Sequence, residues 1–244
     1  MVMSMEIKIG VASVRKSGAE YCGDSFCVAE RPDGGMALIL ADGHGNTPAA
    51  QQTSRWVAQR ARGLLLEGKR DEAIARAIHE ELYEMTERKV ACALTMLGVD
   101  REAETAVIGR SGAMPVLVYS PDYETLYDEE ATLLGMSRSV NPQTYELPLA
   151  PGMIFAAYTE GVRFAGRKSG MGTPDPEHIW EFLRKNPASD VEYIAESILD
   201  YAVKLDKSEP SEDMTVAVLG VAEATEKSGV CRLSAAYPFS LTTL

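Results

Sequence analysis

Ala41-Asp42-Gly43-His44-Gly45 gathers a carboxylate, an imidazole and two glycines directly after the apolar run Met36-Ala37-Leu38-Ile39-Leu40. The run has the length and content of a buried strand, and the acid sits where it stops. Glycines on either side of His44 permit a tight turn and close approach of main-chain oxygens. Such a group suits a hard metal ion and a polarised water.

Three more acids occupy comparable places. Asp24 precedes the short run Ser25-Phe26-Cys27-Val28-Ala29, and Asp213, beside Glu212, precedes Met214-Thr215-Val216-Ala217-Val218-Leu219. Glu160 follows Met153-Ile154-Phe155-Ala156-Ala157-Tyr158. In an antiparallel sheet the start of one strand lies beside the finish of its neighbour, so neighbouring strands of this kind would bring all four acids to one edge. Carboxylates brought together repel one another, and cations relieve that repulsion. The ligand set is all oxygen, which favours Mg²⁺ or Mn²⁺ over zinc. Two such ions roughly 4 Å apart activate water for attack on a phosphate ester. Each acid also has a plainer reading: Asp24 as a turn or cap residue, Glu160 in a strand-ending turn, Asp213 in a solvated acidic pair.

Elements that could position these residues are legible along the chain. Residues 5–14 alternate loosely as a half-exposed strand, and Arg31-Pro32-Asp33-Gly34-Gly35 reads as a hairpin connection. Thr47 can cap, and Pro48 can open, a helix carrying Trp56, Val57, Ala61, Leu64 and Leu65. A second helix begins at Asp71 with Ile74, Ala77, Ile78, Leu82 and Met85 on one face. Strands at 91–99, 105–109, 114–119 and 124–127 have short turn-like links and read as an antiparallel meander. Another strand covers 144–149, helices cover 176–184 and 191–204, and the chain returns to a strand at 214–219. Blocks segregated in this way favour an α+β fold over an alternating parallel one. His79 lies on a helix without an acidic or cysteine partner and reads as an ordinary surface or packing residue, and His178, in the first turn of its helix, reads as structural.

The 244 residues allow a substantial core. A net charge of -12 argues against nucleic acid or an anionic membrane as partner. No stretch approaches the roughly 20 apolar residues that span a bilayer, and the first residues lack the pattern of a secretion signal. Cys22, Cys27, Cys92 and Cys231 show no Cys-x-x-Cys pairing, so a cytoplasmic, thiol-bearing protein is expected. Cys22 and Cys27 flank Asp24 and read as small buried residues rather than a redox switch.

Gly23-Asp24-Ser25, Ala41-Asp42-Gly43-His44-Gly45, Thr159-Glu160-Gly161 and Glu212-Asp213-Met214-Thr215, in that order, resemble the motifs of the metal-dependent type 2C (PPM) protein serine/threonine phosphatases, most of all the bacterial SpoIIE-like branch. The segment from Gly109 to Pro115 also resembles that family's small-residue turn, and the likeness spans about residues 5 to 221. The resemblance implies an antiparallel β-sandwich flanked by pairs of helices over residues 1–222, with 223–244 as a tail packed on the domain or a neighbour. It implies two divalent ions, Mn²⁺ or Mg²⁺, with Asp42 bridging them, the Gly43 carbonyl on one, Asp213 on the second, and Asp24 reaching them directly or through water. His44 matches a histidine proposed in some relatives as the acid that protonates the leaving oxygen, and a place behind the ligands is the alternative.

Two departures stand out. The family usually has aspartate where this chain has Glu160, whose extra methylene repositions the carboxylate while leaving it a competent ligand. The phosphate-holding arginine of the animal and plant branch has no counterpart at its spacing, Arg15 and Lys16 being the nearest basic residues.

The expectation is a signalling phosphatase acting on phosphoserine or phosphothreonine of a partner protein, with a homodimer allowed. Two alternatives are a phosphatase-fold binding module with little turnover, motivated by Glu160, and a small-molecule phosphoesterase, against which the short connections weigh.

Overall fold

The computed structural model describes residues 4–32, 34–86 and 90–224, together with 232, 235 and 236. Strands β1 (Met5–Val14), β2 (Asp24–Glu30) and β3 (Met36–Gly43) precede helices α1 (Pro48–Leu66) and α2 (Asp71–Met85). Six strands follow: β4 (Cys92–Asp100), β5 (Thr105–Ser111), β6 (Val116–Ser120), β7 (Tyr123–Tyr127), β8 (Gln143–Pro148) and β9 (Ile154–Tyr158). The last elements are α3 (Glu160–Arg163), α4 (Pro176–Lys185), α5 (Val191–Leu205) and β10 (Met214–Glu223).

Two antiparallel sheets result, one ordered β1-β10-β9-β6-β7 and the other β2-β3-β4-β5-β8. Their apposed faces form a core that includes Leu38, Leu40, Ile108, Val116, Val118, Phe155, Ala217 and Leu219. The opposite face of β3, through Ala37, Ile39 and Ala41, packs on α1 and α2. The opposite face of β10, through Met214, Val216 and Val218, packs on α4 and α5. Strands buried on both faces are apolar throughout rather than alternating, which is why these runs are continuous in the sequence. The architecture is the expected helix–sheet–sheet–helix sandwich.

The meander expected between residues 91 and 127 is not one. β4 and β5 pair in one sheet, β6 and β7 in the other, and β8 returns to pair with β5. The crossing occurs at Ser111-Gly112-Ala113, where Gly112 adopts a left-handed φ of 95°. Buried Arg110 clamps this crossing: Nε and Nη2 donate to the Met114 carbonyl at 3.0 and 2.8 Å, and Nη1 donates to Gln143 Oε1 at 2.7 Å.

The helix starts follow their local chemistry. Thr47 Oγ1 accepts from Ala50 N at 3.1 Å with Pro48 in the first turn, and Asp175 Oδ1 accepts from Glu177 N at 3.0 Å. Buried His79 accepts from Gly135 N at 3.2 Å as a packing residue, and exposed His178 meets the Phe182 ring edge-on at 5.2 Å and the Tyr201 ring at a tilt at 4.4 Å. Apart from its first residues and a few isolated positions, the tail expected at 223–244 lies outside the described residues. Among the described residues no helix is long and apolar enough to cross a membrane.

Candidate active site

Asp24 and Asp42 are cross-strand partners in the β2–β3 pair. Asp213 enters β10 and Glu160 leaves β9, and those strands are themselves neighbours. Each sheet therefore delivers two acids to the same edge of the sandwich. Asp24, Asp42, Gly43, His44, Glu160 and Asp213 all line one cleft of about 750 Å³. That volume lies within the range of ligand pockets, so the short connections leave more room than expected.

Glycines make the convergence possible through close approach. A Cβ on Gly23 would stand 2.5 Å from the Gly45 carbonyl oxygen and 2.7 Å from that of Gly43. Gly23 O in turn accepts from Gly43 N at 3.0 Å, fixing the turn beneath the cleft. A Cβ on Gly161 would stand 1.9 Å from the Asp213 carbonyl oxygen, so only glycine lets the chain after β9 lie against the start of β10. Glu160 is the first residue of the single turn α3, rather than part of a simple strand-ending turn, and its N–H points at Asp42 Oδ2 across 3.5 Å.

The surroundings of the acids are polar but hold no basic partner. Asp24 Oδ2 accepts from Thr215 Oγ1 at 2.7 Å and Thr159 Oγ1 at 3.0 Å. Asp213 accepts from Lys16 N at 2.9 Å, Gly23 N at 2.6 Å and Asn46 Nδ2 at 2.6 Å. Among the described residues no lysine, arginine or histidine side chain pairs with Asp24, Asp42, Glu160 or Asp213. Burial pushes the Asp24 carboxyl up to about 6 against the pull of both threonine hydroxyls, with Asp213 repulsion adding to the rise. Burial, then the charges of Asp24 and Glu160, push Asp42 well above the ordinary carboxylate value.

Mutually repelling carboxylates, buried at Asp213 and half-buried at Asp24, Asp42 and Glu160, offer oxygen ligands that fit divalent cations in charge and hardness. Among the described residues no three Asp, Glu, His or Cys side chains stand close enough to form a ready-made cage. Asp213 already serves three donors, leaving about one of its roughly four lone-pair positions for an ion. His44 is exposed at the cleft, with its backbone N–H donating to Ala91 O at 3.1 Å.

Sequence reasoning missed much of the support. Thr159 and Thr215 each stand beside a motif acid and face Asp24, and Asn46 closes the glycine turn onto Asp213. Lys16 does line the cleft, its Nζ donating to Asn46 Oδ1 at 3.2 Å, whereas Arg15 reaches the Glu20 carbonyl instead. Arg167, Lys168 and Phe164 also line the cleft and carried no motif signal. Cys22 and Cys27 are half-buried rather than buried, and desolvation pushes the Cys22 thiol up to about 12 and that of Cys27 up to about 11, which disfavours the thiolate.

The family described as Stage II sporulation protein E (SpoIIE) matches residues 32–222. The chain belongs to the SpoIIE family. Its fold matches the PP2C phosphatase domain of SpoIIE from Bacillus subtilis, solved with a fragment of the regulatory domain, at TM-score 0.73 and 17% identity over 92% of this chain and 66% of that one. RsbX in complex with magnesium matches at TM-score 0.68 and 19% identity, over 91% of this chain and 100% of that one. Serine/threonine phosphatase Stp1 from Staphylococcus aureus matches at TM-score 0.72 and 11% identity, over 90% of this chain and 97% of that one. No curated protein matches the chain. Membership of the SpoIIE family and a fold shared with these phosphatase structures are in line with the order of the acidic motifs.

Proposed function

We propose that this chain removes phosphate from phosphoserine or phosphothreonine of a partner protein, with Asp24, Asp42, Gly43, Glu160 and Asp213 holding two divalent ions, Mn²⁺ or Mg²⁺. The observation that carries this reading is the cross-strand pairing of Asp24 with Asp42 at the floor of a cleft that Glu160 and Asp213 share. Divalent ions at such a site supply the charge that makes water nucleophilic and neutralises phosphoryl oxygens. Thr159 and Thr215 hold the Asp24 carboxylate in one orientation. Lys16 N, Gly23 N and Asn46 do the same for Asp213. His44, exposed on the cleft wall, hands a proton to the leaving seryl or threonyl oxygen. The measurement is turnover of a phosphopeptide in Mn²⁺ against an Asp42→Asn control; equal rates would remove catalysis from the reading.

A second reading, a phosphatase-fold binding module, draws support from Asp213, whose lone pairs are mostly taken by protein donors, and from Glu160. Calorimetry separates the two. A folded protein that takes up no Mn²⁺ is the scaffold.

A further inference from the structure

The cleft carries a basic stretch in a protein that is otherwise strongly acidic. Lys16, Arg167 and Lys168 line it together with the half-exposed ring of Phe164. Two of the three cations are already engaged. Lys168 Nζ is paired with Glu212, and Lys16 Nζ lies 3.4 Å from the same carboxylate. Arg167 is exposed and, among the described residues, pairs with no acid. Its guanidinium lies 5.8 Å from the Phe164 ring centroid, which leaves its charge available to a ligand.

This arginine is held on a built loop. Gly166, at φ 79°, accepts from Met171 N at 2.9 Å and from Ser169 Oγ at 3.0 Å, closing the turn that carries Arg167 and Lys168. Buried Asp206 pins that turn, with Oδ1 accepting from Gly166 N at 2.7 Å and Oδ2 from Ser211 N at 2.7 Å. One carboxylate thus ties the loop bearing Arg167 to the segment leading into Asp213. A cleft of this size takes more than a phosphate group, so neighbouring substrate residues must run along its walls.

We infer that Arg167 is a specificity residue that reads an acidic side chain close to the phosphorylated serine or threonine of a peptide substrate. The inference rests on the phosphatase reading of the same cleft. Charge complementarity of this kind selects among partners by favouring one sign and repelling the other.

The test is fluorescence anisotropy of labelled phosphopeptides that differ only in an Asp, Ala or Lys beside the phosphoresidue, with the full chain as wild type, Arg167→Ala, Arg167→Lys and Arg167→Glu. The wild type is expected to bind the Asp peptide roughly five-fold more tightly than the Ala peptide, the scale of an exposed ion pair. That ratio should fall to about one in Arg167→Ala, persist in Arg167→Lys, and turn in favour of the Lys peptide in Arg167→Glu. An unchanged ratio in Arg167→Ala, equal weakening of every peptide, or no binding to any of them overturns the inference. Turnover of the Asp peptide in Mn²⁺ is read separately: selective binding without turnover sinks the phosphatase reading and leaves Arg167 as the selector.

Discussion

Asp24 stands directly across the β2–β3 ladder from Asp42, so two carboxylates share one pair of strand positions, and among the described residues no basic side chain neutralises them. Like charges in that relation destabilise a sheet pair. The fold holds them there because both strands are fixed by apolar side chains further along, Leu38 to Ala41 on β3 and Val28 and Ala29 on β2.

Without added metal, Asp24 makes the stability of the fold depend on pH. Asp24 moves from an ordinary value of 3.8 to about 6 in the folded protein, chiefly through burial. Between those values the native protein keeps a proton that the unfolded chain releases, so stability falls as pH rises across the window. In chelator, melting temperatures measured from about pH 4 to about pH 7 should decline more steeply for wild type than for Asp24→Asn. Adding Mn²⁺ near pH 7 should restore much of the loss in wild type alone. Parallel slopes for the two proteins would show that Asp24 is not the strained group.

Gly161 gives a purely steric prediction. A methyl at this position meets the Asp213 carbonyl 1.9 Å away, and the main chain there cannot give way without moving β10. Gly161→Ala should cost about 1–3 kcal/mol or more in urea unfolding, as overpacking does, and should weaken Mn²⁺ uptake by shifting Asp213. A variant with wild-type stability and metal affinity would mean the loop is soft.

The site was legible in sequence to the extent that its residues mark strand ends. Asp42 and Glu160 close apolar runs, and Asp24 and Asp213 open them, so their convergence required only that the strands be antiparallel neighbours. Sheet membership was not legible, because Val116-Leu117-Val118 and Met214 to Leu219 are apolar on both faces and carry no sign of which sheet they join. Thr159 and Thr215 stand within the motifs and Asn46 just after one, yet their roles were not legible, because a hydroxyl or amide near a motif acid looks the same whether or not it faces a carboxylate. Arg167 and Asp206 escaped for another reason: the loop after Glu160 and the helix end before Asp213 meet each other across a long stretch of chain, with no periodic pattern to reveal the contact.

Arg31 and Asp71 form a largely buried ion pair away from the cleft, with Nη2 at 2.9 and 3.2 Å from the two carboxylate oxygens. The guanidinium occupies space that a Cβ on Gly98 would fill. Removing one partner leaves a charge buried and unpaired, so Arg31→Met should cost about 3–5 kcal/mol. The double variant Arg31→Met with Asp71→Leu should recover most of that loss in chemical denaturation. A double variant no more stable than Arg31→Met would make the loss one of packing rather than of unpaired charge.

Asp206 offers the last prediction, because its two oxygens hold two separate backbone N–H groups, Gly166 and Ser211, at 2.7 Å each. Asparagine keeps the shape but supplies one acceptor, and turns an amide N–H₂ toward one of those donors. Leaving a backbone N–H unsatisfied costs about 1–3 kcal/mol, and the loss here is confined to two loops rather than to the core. Asp206→Asn should therefore lower the melting temperature modestly while raising amide exchange at Gly166 or Ser211 far more than at the β3 and β10 strands. The Arg167 loop and the approach to Asp213 should loosen together, since one carboxylate anchors both. Uniformly faster exchange across the protein would instead make Asp206 a contributor to global stability with no local tie between the basic wall and the acidic floor.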